Sequence, residues 1–200
     1  MKKINKFSKI IGMLLFLIVI VMIIYLIVIL IPKGKDVIEQ EEVDKIKFDY
    51  VLYSRDTSLY KDIFSLLKDE LNNDEINYDK YAEHVSKLFI IDLYTIDNKV
   101  SKNDVGGVQF VYDDIRDNFI LNASNTLYKY VGVDNEIEWP ILKKIDLMSI
   151  IENEYIIDEI KYSGYEVKLN WEYEKDLGYE KEGTIYLIKD KDELFVVEKK

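Results

Sequence analysis

Three kinds of hydrophobic pattern follow one another along the chain. From Ile10 to Ile31 the sequence IIGMLLFLIVIVMIIYLIVILI carries no charged side chain. At a rise of about 1.5 Å per residue a helix of that length crosses the roughly 30 Å hydrocarbon core of a bilayer, so the pattern predicts a transmembrane helix. The charged segment 32–45 then reads as a linker, and a domain is expected over 46–200. Ile46, Phe48, Tyr50 and Leu52 alternate and predict a short extended segment. Behind Asp56 or Thr57 as N-cap, Leu59, Ile63, Leu66, Leu67 and Leu71 recur at helical spacing. Asn72-Asn73-Asp74 interrupts this helix. Asn77 caps a second one, with Tyr81, Val85, Leu88, Phe89 and Asp92 along one side. Ile115, Phe119, Ala123, Leu127 and Val131 repeat every four residues and predict a third helix ending at Gly132.

Beyond Pro140 the period changes to two. Ile145, Leu147, Ser149 and Ile151 form one run, and Tyr165, Val167, Leu169, Trp171 and Tyr173 another, facing away from Glu166, Lys168, Asn170, Glu172 and Glu174. Gly178 marks a turn, GTIYLIK a strand, Lys189–Asp192 a second turn and LFVVEK a last strand. Helices followed by an antiparallel meander predict an α+β domain, its helices packed on one face of a curved four-stranded sheet.

Charge sets the expected orientation. Lys2, Lys3, Lys6 and Lys9 precede the apolar span, and only Lys33 and Lys35 follow it closely, which puts residues 1–9 in the cytoplasm as a basic tail. The span is longer than a signal-peptide core and ends in Ile31-Pro32-Lys33 without a small-residue cleavage site, so it reads as a retained anchor. Six of the 27 basic residues lie before residue 36, where there is no acid; the rest of the chain sets 21 against 38, a formal charge of −17. A domain so acidic repels phosphates and is not expected to bind nucleic acid. With no cysteine in the chain there is neither a lipoprotein anchor nor a disulfide framework, and stability must come from a hydrophobic core.

The segment NKVSKNDVGGVQF, Asn98–Phe110, invites a ligand reading that its chemistry refuses. A phosphate loop requires Lys-Ser/Thr after its last glycine, and Val108 follows Gly106-Gly107. A calcium loop from Asp97 requires oxygen ligands, a glycine and a final glutamate where Lys99, Lys102 and Val108 stand. The pair of glycines is expected to serve a tight corner. His84 is the only histidine, which removes multi-histidine metal sites, and it reads as a residue at the core edge. Asp113, Asp114 and Asp117 suit the start of a helix dipole, and the Asn122-Ala123-Ser124 sequon would lie within that helix. No catalytic, cofactor or metal set is assigned. Should the aromatic strand face line a pocket, Asp92, Tyr94 and Trp171 are its candidate residues.

A single anchor, three helices and four strands resemble the layout of membrane-anchored nuclear-transport-factor-2-like (cystatin-like) domains, among them scaffold subunits of conjugation-type secretion systems. At the level of segments, YVLYSRDTSLYKDIF, KLFIIDLYTIDNKVSKNDVGGVQFV, IRDNFILNASNTLYKYV and VKLNWEYEKDLGYEKEGTIYLI resemble a set of uncharacterised membrane-anchored proteins of low-GC Firmicutes. The resemblance spans roughly residues 50–200 and brings no catalytic motif. It implies a cone-shaped extracytoplasmic domain. With the common catalytic constellations excluded, that domain is expected to bind or assemble with a protein partner in the cell envelope; the alternative is a small-molecule binder or isomerase-like enzyme using the cone.

Overall fold

The computed structural model describes residues 41–133 and 136–200, with Met22 alone before them. The chain divides into units 1–39 and 40–200, and the strands and helices of the domain belong to the second. Apart from Met22, the expected membrane span 10–31 lies outside the described residues, among which no helix is long and apolar enough to cross a membrane.

The element order is β1 (Glu42–Lys45), β2 (Val51–Tyr53), α1 (Ser58–Leu71), α2 (Tyr78–Tyr94), α3 (Asp113–Asn125), β3 (Leu142–Ile157), β4 (Ile160–Tyr173), β5 (Glu182–Asp190) and β6 (Glu193–Lys199). The last four strands form one antiparallel sheet in the order β3-β4-β5-β6, so the domain is α+β as the change of period predicts. Thr57 caps α1 by accepting the Tyr60 N–H, and Asn77 caps α2 by accepting that of Lys80. Phe64 and Leu67 from α1, with Val85, Leu88 and Phe89 from α2, close over the inward face of β4 and its neighbours, where Val167, Leu169, Trp171, Leu187 and Leu194 are buried. A polar tie runs through this core: the Tyr50 and Tyr81 hydroxyls lie 2.8 Å apart, Tyr50 donates to the Leu194 carbonyl, and the Leu194 N–H donates to Tyr81.

Three departures from the sequence pattern have local causes. The alternation at 46–52 is not one strand. The chain reverses through Phe48 and Asp49 (φ 63° and 61°), and β2 pairs back onto Glu42–Lys45, the end of the segment its charges assign to a linker. Period two does not distinguish one strand from the two arms of a tight turn.

The third helix stops at Asn125 and does not reach Gly132. Asn125 Nδ2 donates to the Leu121 carbonyl and Thr126 Oγ1 to that of Asn122, taking acceptors that a further helical turn would use. Tyr128 then leaves the helix to bury its ring and donate to the Leu93 carbonyl at 2.7 Å. Gly132 is left-handed (φ 75°), within a turn.

β3 reaches Ile157 and β4 begins at Ile160, joined by Asp158 and Glu159 at φ 47° and 68°. A bulge between Leu147 and Ser149 changes the face. Ile150, opposite Val167, turns toward the core, while Ser149 and Ile151 turn out to solvent.

Candidate functional site

Asp92 lies on the otherwise apolar side of α2, and a fold-specific reason accounts for a carboxylate there. Its Oδ2 accepts the Gly107 N–H at 2.6 Å, and its Oδ1 accepts from Lys99 Nζ. The lysine arrives on the segment that leaves α2, and its side chain is only 4% exposed. Gly106 N–H donates to the Tyr128 hydroxyl, so the corner is tied to α2 on one side and to the turn after α3 on the other. A Cβ on Gly106 would stand 2.0 Å from the Asp92 carbonyl oxygen. Gly107 has φ 78°, and a Cβ there would meet the Phe89 ring at 2.7 Å. The two glycines do serve a corner, as their conformational freedom suggests.

That corner also walls a cavity of about 360 Å³, lined by Tyr53, Asp56, Tyr60, Asp92, Lys99, Asp104, Val105, Val108, Gln109 and Arg116. Most of its polar groups are already paired. Asp104 holds Arg55 at 2.5 Å and accepts the Val100 N–H, while Gln109 bridges the backbone of Val51 and the Tyr60 hydroxyl. Arg116 pairs with Asp113 and donates to the Val111 carbonyl. Asp56 differs. Its Oδ2 accepts the Tyr53 N–H at 2.7 Å, and Lys99 and Arg55 reach it only through space because each is committed to another carboxylate.

Burial pushes the Asp56 carboxyl up to about 6, against the pull of the Tyr53 hydrogen bond. The folded domain therefore holds this proton at a pH where the unfolded chain, near 3.8, has released it. Binding more protons when folded, it loses stability as pH rises from about 4 to about 6, and the loss is complete above that window. Asp56→Asn keeps an acceptor for Tyr53 and removes the charge. The variant is expected to be more stable than the parent at pH 7, with the gap closing toward pH 4. Denaturant midpoints of both chains across that range test this, and parallel curves would refute it.

The three pocket candidates from the sequence are not brought together. Asp92 lines the cavity, whereas Tyr94, two residues on, faces elsewhere. Its hydroxyl donates to Glu180 Oε2 at 2.8 Å, and burial together with that bond raises its pKa. Trp171 is 2% exposed, packs on Tyr94 with ring centres 5.5 Å apart, and donates Nε1–H to the Tyr173 hydroxyl. The aromatic strand face is thus filled core. His84 is half-buried with Nδ1 unpartnered, and burial lowers its pKa. Asp56 escapes motif reading because it enters from before α1, and Lys99, Asp104 and Gln109 because their shared segment 98–110 matches neither ligand-loop pattern. Asp92 on the apolar side of a helix is the one signal that points here. No protein-family model, curated protein or solved structure matches this chain, so the site is read from its own geometry.

A second feature stands on the other side of the sheet. The β3–β4 arms beyond Ile151 form a ribbon whose outward face follows from register: Tyr155 opposite Tyr162, and Ile157 opposite Ile160, on the same side as Ile151. Ile151 and Ile160 are 55% and 56% exposed. Tyr155 and Tyr162 extend the strip through edge contacts with Tyr186 and Tyr112. Tyr155 also lies over Gly164, where a Cβ would be 2.9 Å from its ring. Asp158 and Glu159 stand at the tip of the ribbon, and Glu152 and Glu154 alternate with the strip along β3, Glu154 pairing with Lys161 at 2.7 Å.

Proposed function

We propose that the chain is a single-pass membrane protein whose domain, of the nuclear-transport-factor-2-like (cystatin-like) class, lies outside the membrane and binds or assembles with a protein partner in the cell envelope. The apolar span 10–31 and its lysine bias support the anchor and its orientation. Helices on one face of a four-stranded antiparallel sheet support the class. The observation that carries the binding reading is the isoleucine and tyrosine strip on the ribbon. Exposed apolar side chains rimmed by polar and charged residues mark a docking surface, here for an envelope protein offering an apolar groove. The rival reading, a small molecule in an aromatic cone, loses its pocket to the buried Trp171.

The cysteine-free chain makes the test direct. Ile160→Cys is treated in intact cells with a membrane-impermeant thiol cross-linker. Labelling is expected from outside, with an adduct to a second polypeptide that Ile151→Asp abolishes while changing unfolding stability by less than about 0.5 kcal/mol. Absence of labelling would refute the orientation; labelling without an adduct would refute the docking surface.

A further inference from the structure

Within the cavity beside the glycine corner, charge is balanced except at one position. Asp92 is matched by Lys99, Asp104 by Arg55 and the lining Arg116 by Asp113, and the first two matches are held by further bonds to Gly107 N–H and Val100 N–H. Asp56 has no cation of its own. Helix capping does not account for it, because Thr57 supplies the N-cap of α1. The turn contact with Tyr53 uses one carboxylate oxygen, Oδ2. The other belongs to a side chain that lines a space of about 360 Å³, within the size range of small-ligand sites. The walls are set in place: Tyr60 is buried and held by Gln109, and Lys99 is almost fully enclosed. Val105 and Val108 give the cavity an apolar side, and the half-buried Tyr53 ring is the kind of surface on which organic cations rest.

We infer that this cavity binds a small organic ammonium ion, with the Asp56 carboxylate as its counter-ion and the carbon chain against Val105 and Val108. The ligand supplies the positive charge the site lacks. An inorganic cation would leave the apolar wall unused, and an anion would face the Asp56 carboxylate while the lining cations Lys99 and Arg116 are already paired with Asp92 and Asp113. The field of a domain with a formal charge of −17 over residues 36–200 draws cations toward the surface and adds to the encounter rate. Asp56 also gains, since a bound cation favours its charged form and offsets the burial that opposes it. This site lies apart from the ribbon and does not depend on the docking reading.

The test uses the full chain purified in detergent and n-butylammonium chloride as probe, with butanol and potassium chloride at matched concentration as controls. A saturable rise in Tm is expected with butylammonium and not with either control. Asp56→Asn should weaken the probe at least about tenfold, the scale of one lost charge-assisted contact, while Asp62→Asn on the exposed side of α1 binds like the parent. Val105→Phe, which fills the apolar wall and leaves every charge in place, should also weaken binding, and it serves as the deciding variant should Asp56→Asn fail to fold. The proposal is overturned if the parent shows no saturable response, if butanol or potassium reproduces it, if a folded Asp56→Asn binds as the parent does, or if Val105→Phe does.

Discussion

Gly106→Ala is expected to cost the domain about 3 kcal/mol or more, the upper range for overpacking a filled site. The added carbon would sit 2.0 Å from the Asp92 carbonyl oxygen and 2.4 Å from its carbon. Both are main-chain atoms of α2, and no rotamer change moves them. Relief requires the segment to lift away, which stretches the Gly106 N–H bond to Tyr128 and the Gly107 N–H bond to Asp92. Gly107→Ala makes a useful comparison. It brings left-handed strain of about 1 kcal/mol, but its nearest obstacle is the Phe89 ring at 2.7 Å, a side chain that has some freedom to turn. The ranking predicted is therefore Gly106 above Gly107, although only Gly107 has positive φ. Urea unfolding of the two variants measures this, and a loss below about 1 kcal/mol at Gly106 would mean that the corner is not held as described.

How far the sequence reveals this arrangement depends on the range of the interaction that decides each part. Capping is local, and Thr57 and Asn77 are legible from their own positions. The inward face of β4 is legible because a period of two over Tyr165–Tyr173 has one solution when one face is wet. The end of α3 is not legible from its apolar repeat, because Leu127 and Val131 keep the spacing while Tyr128 is drawn off by the Leu93 carbonyl, a partner that only the tertiary fold supplies. The bulge in β3 is hidden for the same reason. Ser149 and Ile151 continue the alternation in the sequence, and pairing with Val167 shifts the inward position to Ile150. The cavity is the least legible part. Asp92 is anomalous on its helix face, but the reason depends on Lys99 and Gly107 folding back upon it, and Asp56 enters from before α1.

Trp171→Ala is expected to cost about 3–5 kcal/mol, the range for truncating a buried aromatic to a methyl group. The ring is enclosed from several directions: Tyr94 packs on it from α2, and its edge closes on Gly183 of β5, where a Cβ would come within 3.2 Å. Its Nε1–H meets the Tyr173 hydroxyl at 2.9 Å, and that hydroxyl in turn donates to the Glu180 carbonyl. Trp171→Phe should cost about 1–3 kcal/mol, since it keeps most of the apolar volume and Tyr173 retains its bond to Glu180. The pair of variants separates a filled core from a ligand-binding cone. A tryptophan that lined a binding pocket would be removable with little loss of folding stability, because its face would already be solvated. Denaturant unfolding followed by circular dichroism decides between them. A cost near zero for Trp171→Ala would reopen the aromatic cone as a site and weaken the case for docking through the ribbon.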